Sequence, residues 1–284
     1  MYIIFILFSA IFLGIYEIFK KISLNKSSIY EILFFYCFSS FILSLIFIKQ
    51  SFSIPLWAIG LLLIKSIIIV INWLLVMKAV EKLDVSVTTP FGLFTSVLVM
   101  VLSYFIFDDK ITWVHIASIG FIGTGIILVS LLERKTKNNE FNFMPFILLI
   151  IGTSLGAISA ILDKYLISVK NVNSRGMILW FFLFNSLIYG IIYFIKNKKI
   201  DFKKMGENYW ITLTGGSIFL ADLTYYYSID MDGASLSIIS ILRKLSIVIA
   251  TILASVFLKE KYLIKKLLIL SFMLVGVALP VIFK

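Results

Sequence analysis

Apolar stretches long enough to cross a bilayer run through this 284-residue chain from end to end, parted only by short polar breaks. A hydrocarbon core needs roughly 20 apolar residues per helix, and the sequence supplies about ten such stretches. They fall at about residues 2–20, 30–49, 57–78, 86–107, 112–132, 143–163, 176–195, 209–229, 234–257 and 263–283. Lys78, Glu81, Lys82 and Asp84 part the third from the fourth, and Asp230, Asp232 and Gly233 part the eighth from the ninth. A barrel strand would alternate apolar and polar residues, whereas these stretches are apolar on every side. The expected fold is an all-α integral membrane protein with ten transmembrane helices. Composition agrees: 61% of residues are hydrophobic and 14% charged, and mean hydropathy is +1.07, outside the range of soluble domains. The longest polar breaks, 133–142 and 196–208, are too short to bury a soluble core. The first stretch has neither a basic leader nor a small-residue cleavage pattern, so it reads as a retained helix rather than a signal peptide. Cys37 is the one cysteine and forms no internal disulfide.

The chain also repeats itself. YEIFKKISL at 16–24 recurs loosely as SAILDKYLI at 159–167, AVEKLDVS at 79–86 as SIDMDGAS at 228–235, and FDDK at 107–110 as LKEK at 258–261; Gly125 then matches Gly276. The echoes keep their order, which divides the chain into copies at 1–137 and 138–284. Five spans per copy is an odd number, so the second copy enters the bilayer upside down, giving two inverted five-helix repeats.

These features together resemble the drug/metabolite transporter superfamily, specifically its ten-helix proteins with two EamA domains. The carriers are Gly14, the turn from Leu83 to Ser86 and the junction Asp108, Asp109, Lys110 in copy one. Copy two shows Gly156 with Asp163 and Lys164, the turn from Gly233 to Ser235, then Leu258, Lys259, Glu260 and Lys261. The resemblance implies movement of a small metabolite or drug through a central cavity by alternating access, often by export, at the cell membrane. It also implies a helix break within the fourth and ninth helices; Ser96 and Ile247 stand about where the family often has proline, and Pro90 lies earlier. Cytoplasmic termini follow from the resemblance, while the loop Lys and Arg residues crowd the opposite face and argue for the reverse.

Ionisable side chains mark the candidate site. Glu17, Lys65, Asp222, Arg243 and Lys244 lie within the apolar stretches. Facing all of them to lipid would cost on the order of 12–18 kcal/mol, at roughly 2.5–3.5 kcal/mol each. They are expected to meet each other, a watery cavity or the interface. Lys65 and Asn72 share a helical face, and Asp222 lies one turn before Tyr225 and Tyr226. Asn72 and Asp222 occupy nearly equivalent places in the two copies, which would set them on opposite walls of one cavity. The candidate substrate-binding set is therefore Asn72, Trp73, Asp222, Tyr225, Tyr226, Arg243 and Lys65, with Asp222 paired to Lys65 or Arg243. Glu17 and Asp222 are candidates for proton coupling, although Lys20 and Lys21 offer Glu17 a local ion pair. Lys244 points about 100° away from Arg243, which favours Arg243 for the site. Asp109 and Glu260 read as braces of helix junctions, and Gly152, Gly156, Gly120, Gly123 and Gly125 as close-packing positions.

Other classes fare worse. The net charge of +11 is scattered over loops, which suits anionic headgroups rather than nucleic acid. An intramembrane enzyme acting on a lipid-linked substrate is the alternative to a transporter. Against it, His115 is the one histidine, and HExxH, GxSxG and Walker A patterns are missing. No metal or cofactor is implied, and the expected partners are a small-molecule substrate and the bilayer.

Overall fold

A computed structural model describes residues 2–107, 112–137, 142–229, 231 and 236–283. Among them the regular structure is helical, in ten long helices: α1 Tyr2–Ser23, α2 Ile29–Ser44, α3 Leu56–Lys82, α4 Phe91–Phe107, α5 Trp113–Lys137, α6 Met144–Lys164, α7 Ser174–Asn197, α8 Tyr209–Ile229, α9 Leu236–Phe257 and α10 Leu263–Ile282. Eight helical segments among the described residues are long and apolar enough to cross a membrane. The other two long helices, α8 and α9, match them in length at 21 and 22 residues and carry Asp222, Arg243 and Lys244. The break expected in the fourth helix falls earlier, at Pro90, whereas the one expected in the ninth is not made: α9 runs unbroken through Ile247. A short helix, Val85–Thr88, precedes α4, and Pro90 stands between them because its ring disfavours the helical conformation in the residue before it.

Packing between helices has an exchange symmetry. α1 lies against α8 and α9, as α6 lies against α3 and α4; α2 meets α7, and α5 meets α10. Advancing every helix by five returns the same set of contacts, so each copy's first helix is embraced by the third and fourth of the other. The two copies are thus interwoven. Glycines permit the closest of these approaches: a Cβ on Gly125 of α5 would fall 2.0 Å from Met273 Cγ, and one on Gly276 of α10 would fall 2.5 Å from Phe121 Cβ. These two glycines are the matched pair of the repeat, and each receives the partner helix. Gly152 and Gly156 of α6 receive Asn72 of α3, whereas Gly120 and Gly123 have open space around them.

Polar groups brace the ends. Ser28 and Glu31 form a capping box at the start of α2, and the Lys204 ammonium donates to the Glu31 carboxylate across to the α7–α8 connection. That hydrogen bond raises the Lys204 pKa above the usual lysine value. At the α9–α10 junction, Glu260 accepts from the backbone N–H of Val85 at 2.7 Å and of Ser86 at 3.1 Å, and from the Ser86 hydroxyl. It satisfies the start of the short helix that leads into α4, where the local Asp84 side chain makes no cap. Lys266 completes the junction, 2.5 Å from Ser86 Oγ, 3.2 Å from Asp84 and 3.6 Å from Glu260. Left-handed backbone at Lys259 (φ 56°) and Tyr262 (φ 63°) tightens the turn that presents Glu260. Asp109 and the Gly233 to Ser235 turn, the corresponding pair, lie outside the described residues.

Candidate functional site

A buried ammonium or guanidinium in an apolar helix is costly without a counter-charge, which its own helix or a neighbouring one can supply. Lys65, on α3, finds its partner on α6: its Nζ is 2.6 Å from Asp163 Oδ1, with the two side chains 8% and 32% exposed. The ammonium also lies 4.5 Å from the Phe181 ring centre. Arg243, on α9, donates from Nη2 to Asp222 Oδ1 on α8 at 2.5 Å, and its guanidinium stands 4.0 Å from the centre of the Tyr225 ring. Of the two partners considered for Asp222, the structure selects Arg243.

Aromatic rings link the two ion pairs. The Tyr225 ring under Arg243 is 5.3 Å from that of Tyr226 in an edge-on arrangement, and Tyr226 packs against the same buried cluster as Phe181, the ring beside Lys65. Trp73 joins this region through Phe181, at 5.8 Å between ring centres, and through Tyr36, at 5.5 Å. Each charged group can exchange its internal partner for a ligand group of the same sign. The rings offer flat apolar area and, with the guanidinium, cation–π attraction.

Other sequence candidates are placed differently. Asn72 is buried on the side of α3 that faces Gly152 and Gly156 of α6. Glu17 is 2.5 Å from Lys20, whose ammonium lies 4.7 Å from the Tyr16 ring centre, so the local ion pair is made. Sequence reasoning missed Asp163 as a site residue, since it falls at the last position of an apolar stretch and reads as the start of a loop. The signal was available in the repeat itself, where DK at 163–164 stands opposite KK at 20–21: one copy carries an acid where the other carries a base.

A sequence model of the EamA-like transporter family matches residues 1–131 and 144–282. The chain belongs to the EamA-like transporter family. As an EamA-like protein it is a multi-pass membrane protein of a transporter family. Among solved structures, one described only as a crystal structure of a protein covers 98% of this EamA-like chain and 95% of its own, with a TM-score of 0.68 at 13% identity. That similarity shows a common fold. No curated protein matches the sequence.

Proposed function

We propose that this EamA-like protein is a secondary transporter that binds a small metabolite or drug between its two repeats and exposes it alternately to each side of the cell membrane. All ten long helices cross the bilayer in this reading, with the copies 1–137 and 138–284 inverted and the termini cytoplasmic. The single observation that supports it best is the pair of intramembrane ion pairs, Lys65 with Asp163 and Arg243 with Asp222, the second set against the Tyr225 ring. Such charges are expensive in a membrane interior and are characteristic of substrate and ion pathways. Interwoven copies supply the mechanical element: rocking one five-helix unit against the other shifts the α1–α8–α9 and α6–α3–α4 contacts in opposite senses. Export driven by protons follows if Asp222 takes up a proton when Arg243 leaves it. The Glu17–Lys20 pair makes Glu17 the weaker coupling candidate.

The test begins with a thermal-shift screen of amino acids, sugars, nucleosides, amines and dyes on purified protein, because a ligand of the folded state stabilises it by mass action. Uptake of the ligand so found is then measured in liposomes. Asp222→Asn and Arg243→Gln are expected to abolish uptake while the protein remains folded and monodisperse. Full transport by both variants would refute the site. Uptake against a substrate gradient under an imposed pH gradient is the result expected of proton coupling; a facilitator would show none.

A further inference from the structure

Lys244 is the intramembrane cation that the two ion pairs leave unaccounted for. It stands on α9 next to Arg243 but turns toward α4, where its Nζ donates to the carbonyl oxygen of Gly92 at 3.1 Å. Among the described residues no carboxylate lies within ion-pair distance of it, whereas Lys65, Lys20, Lys266 and Arg243 each have one. A carbonyl dipole is a poor substitute for a counter-ion, and an ammonium held away from water without an anion is costly. The surroundings leave room for one. A Cβ added to Gly92 would meet no atom within 4 Å, so the backbone that Lys244 touches borders open space. With FDDK aligned on LKEK, Gly92 stands opposite Arg243, and Lys244 thus reaches across to the place where copy one has no side chain.

The charge balance of this region follows. Lys65 with Asp163 is neutral, as is Arg243 with Asp222, and among the described residues Lys244 adds one positive charge with no paired carboxylate. We propose that Lys244 binds the carboxylate of the transported molecule, so that the cargo is a small organic acid whose charged end lies between α9 and α4, beside Gly92. This rests on the transporter reading above. Arrival of the carboxylate gives the ammonium the counter-ion it lacks, and it strengthens the hydrogen bond the carboxylate accepts because donor and acceptor are both charged. Lys244 would then distinguish an acid from its isosteric amide, which offers the same shape without the charge.

The experiment uses the purified full-length chain and matched probes: benzoate against benzamide, and phenylacetate against phenylacetamide, at constant ionic strength. The midpoint of thermal unfolding is followed against probe concentration. In the wild type, at least one acid is expected to raise the midpoint saturably while its amide at equal concentration does not. Lys244→Gln should weaken that acid by about tenfold or more, and Lys244→Arg should retain most of the response. Lys244→Met serves as a second neutral variant of similar volume should the glutamine variant fold poorly. Two results would overturn the proposal: amides matching their acids throughout in the wild type, or neutral variants keeping the wild-type response to an acid. Transport of the acid by Lys244→Gln liposomes at the wild-type rate would also overturn it, while leaving the transporter reading intact. Loss of all transport by the wild type would instead count against that reading.

Discussion

The Lys65–Asp163 pair should respond very differently to removal of one partner or the other. The lysine side chain is 8% exposed and the aspartate 32%. At 2.6 Å and an effective dielectric constant of about 20, Coulomb's law gives a gross attraction of about 6 kcal/mol, most of which offsets the cost of drawing both charges out of water. Asp163→Asn leaves the ammonium buried with only the Phe181 ring and a neutral amide, and should cost about 3 kcal/mol, the lower end of the range for a stranded buried charge. Lys65→Met removes the buried charge altogether and leaves a carboxylate that still reaches solvent, so it should cost about 1 kcal/mol or less. The double variant should recover most of the loss seen in Asp163→Asn. Reversible denaturation in detergent micelles, with the three variants compared in one double-mutant cycle, gives these differences directly. A loss in Lys65→Met equal to or greater than that in Asp163→Asn would refute the argument from burial.

Two further expectations concern the scaffold. Glu260→Ala should destabilise the protein by about 2–4 kcal/mol, since it removes charged acceptors from two backbone N–H groups and a hydroxyl. Glu260→Gln should lose only part of this, and equal losses in denaturation would show that the carboxylate charge is irrelevant. Gly125→Ala should cost about 1–3 kcal/mol, because the new Cβ falls 2.0 Å from Met273 Cγ. Met273→Ala in the same chain should recover part of that loss, and failure to do so in a thermal melt would place the clash elsewhere.

Several of these elements were legible in the sequence for definite reasons. Membrane helices are written as continuous apolar runs, so their approximate limits follow from the cost of unsatisfied backbone in lipid. Gly125 was legible as a close-packing position and as the repeat mate of Gly276, but not that α5 and α10 meet at these two glycines. Glu260 was recognisable as a brace from its place in the repeated junction, although its acceptance of the Val85 and Ser86 N–H groups was not. What periodicity within one helix cannot convey is which other helix it faces. Lys65 and Asn72 share a face of α3, and that face meets α6 rather than α8, through Asp163 in one case and Gly152 and Gly156 in the other. The exchange of first helices between copies determines this, and it is a property of the assembled bundle. For Asp222 the sequence left two partners open, Lys65 and Arg243, and the assembled bundle selects Arg243.

The central claim is that the region around Tyr225 opens to both sides of the membrane in turn. The most direct measurement places Tyr225→Cys in a Cys37→Ser background, reconstitutes the protein in one orientation, and follows labelling by a membrane-impermeant maleimide added to one face at a time. Alternating access predicts labelling from both faces, with a saturating transported ligand slowing each. Labelling from one face only, unchanged by ligand, would contradict it.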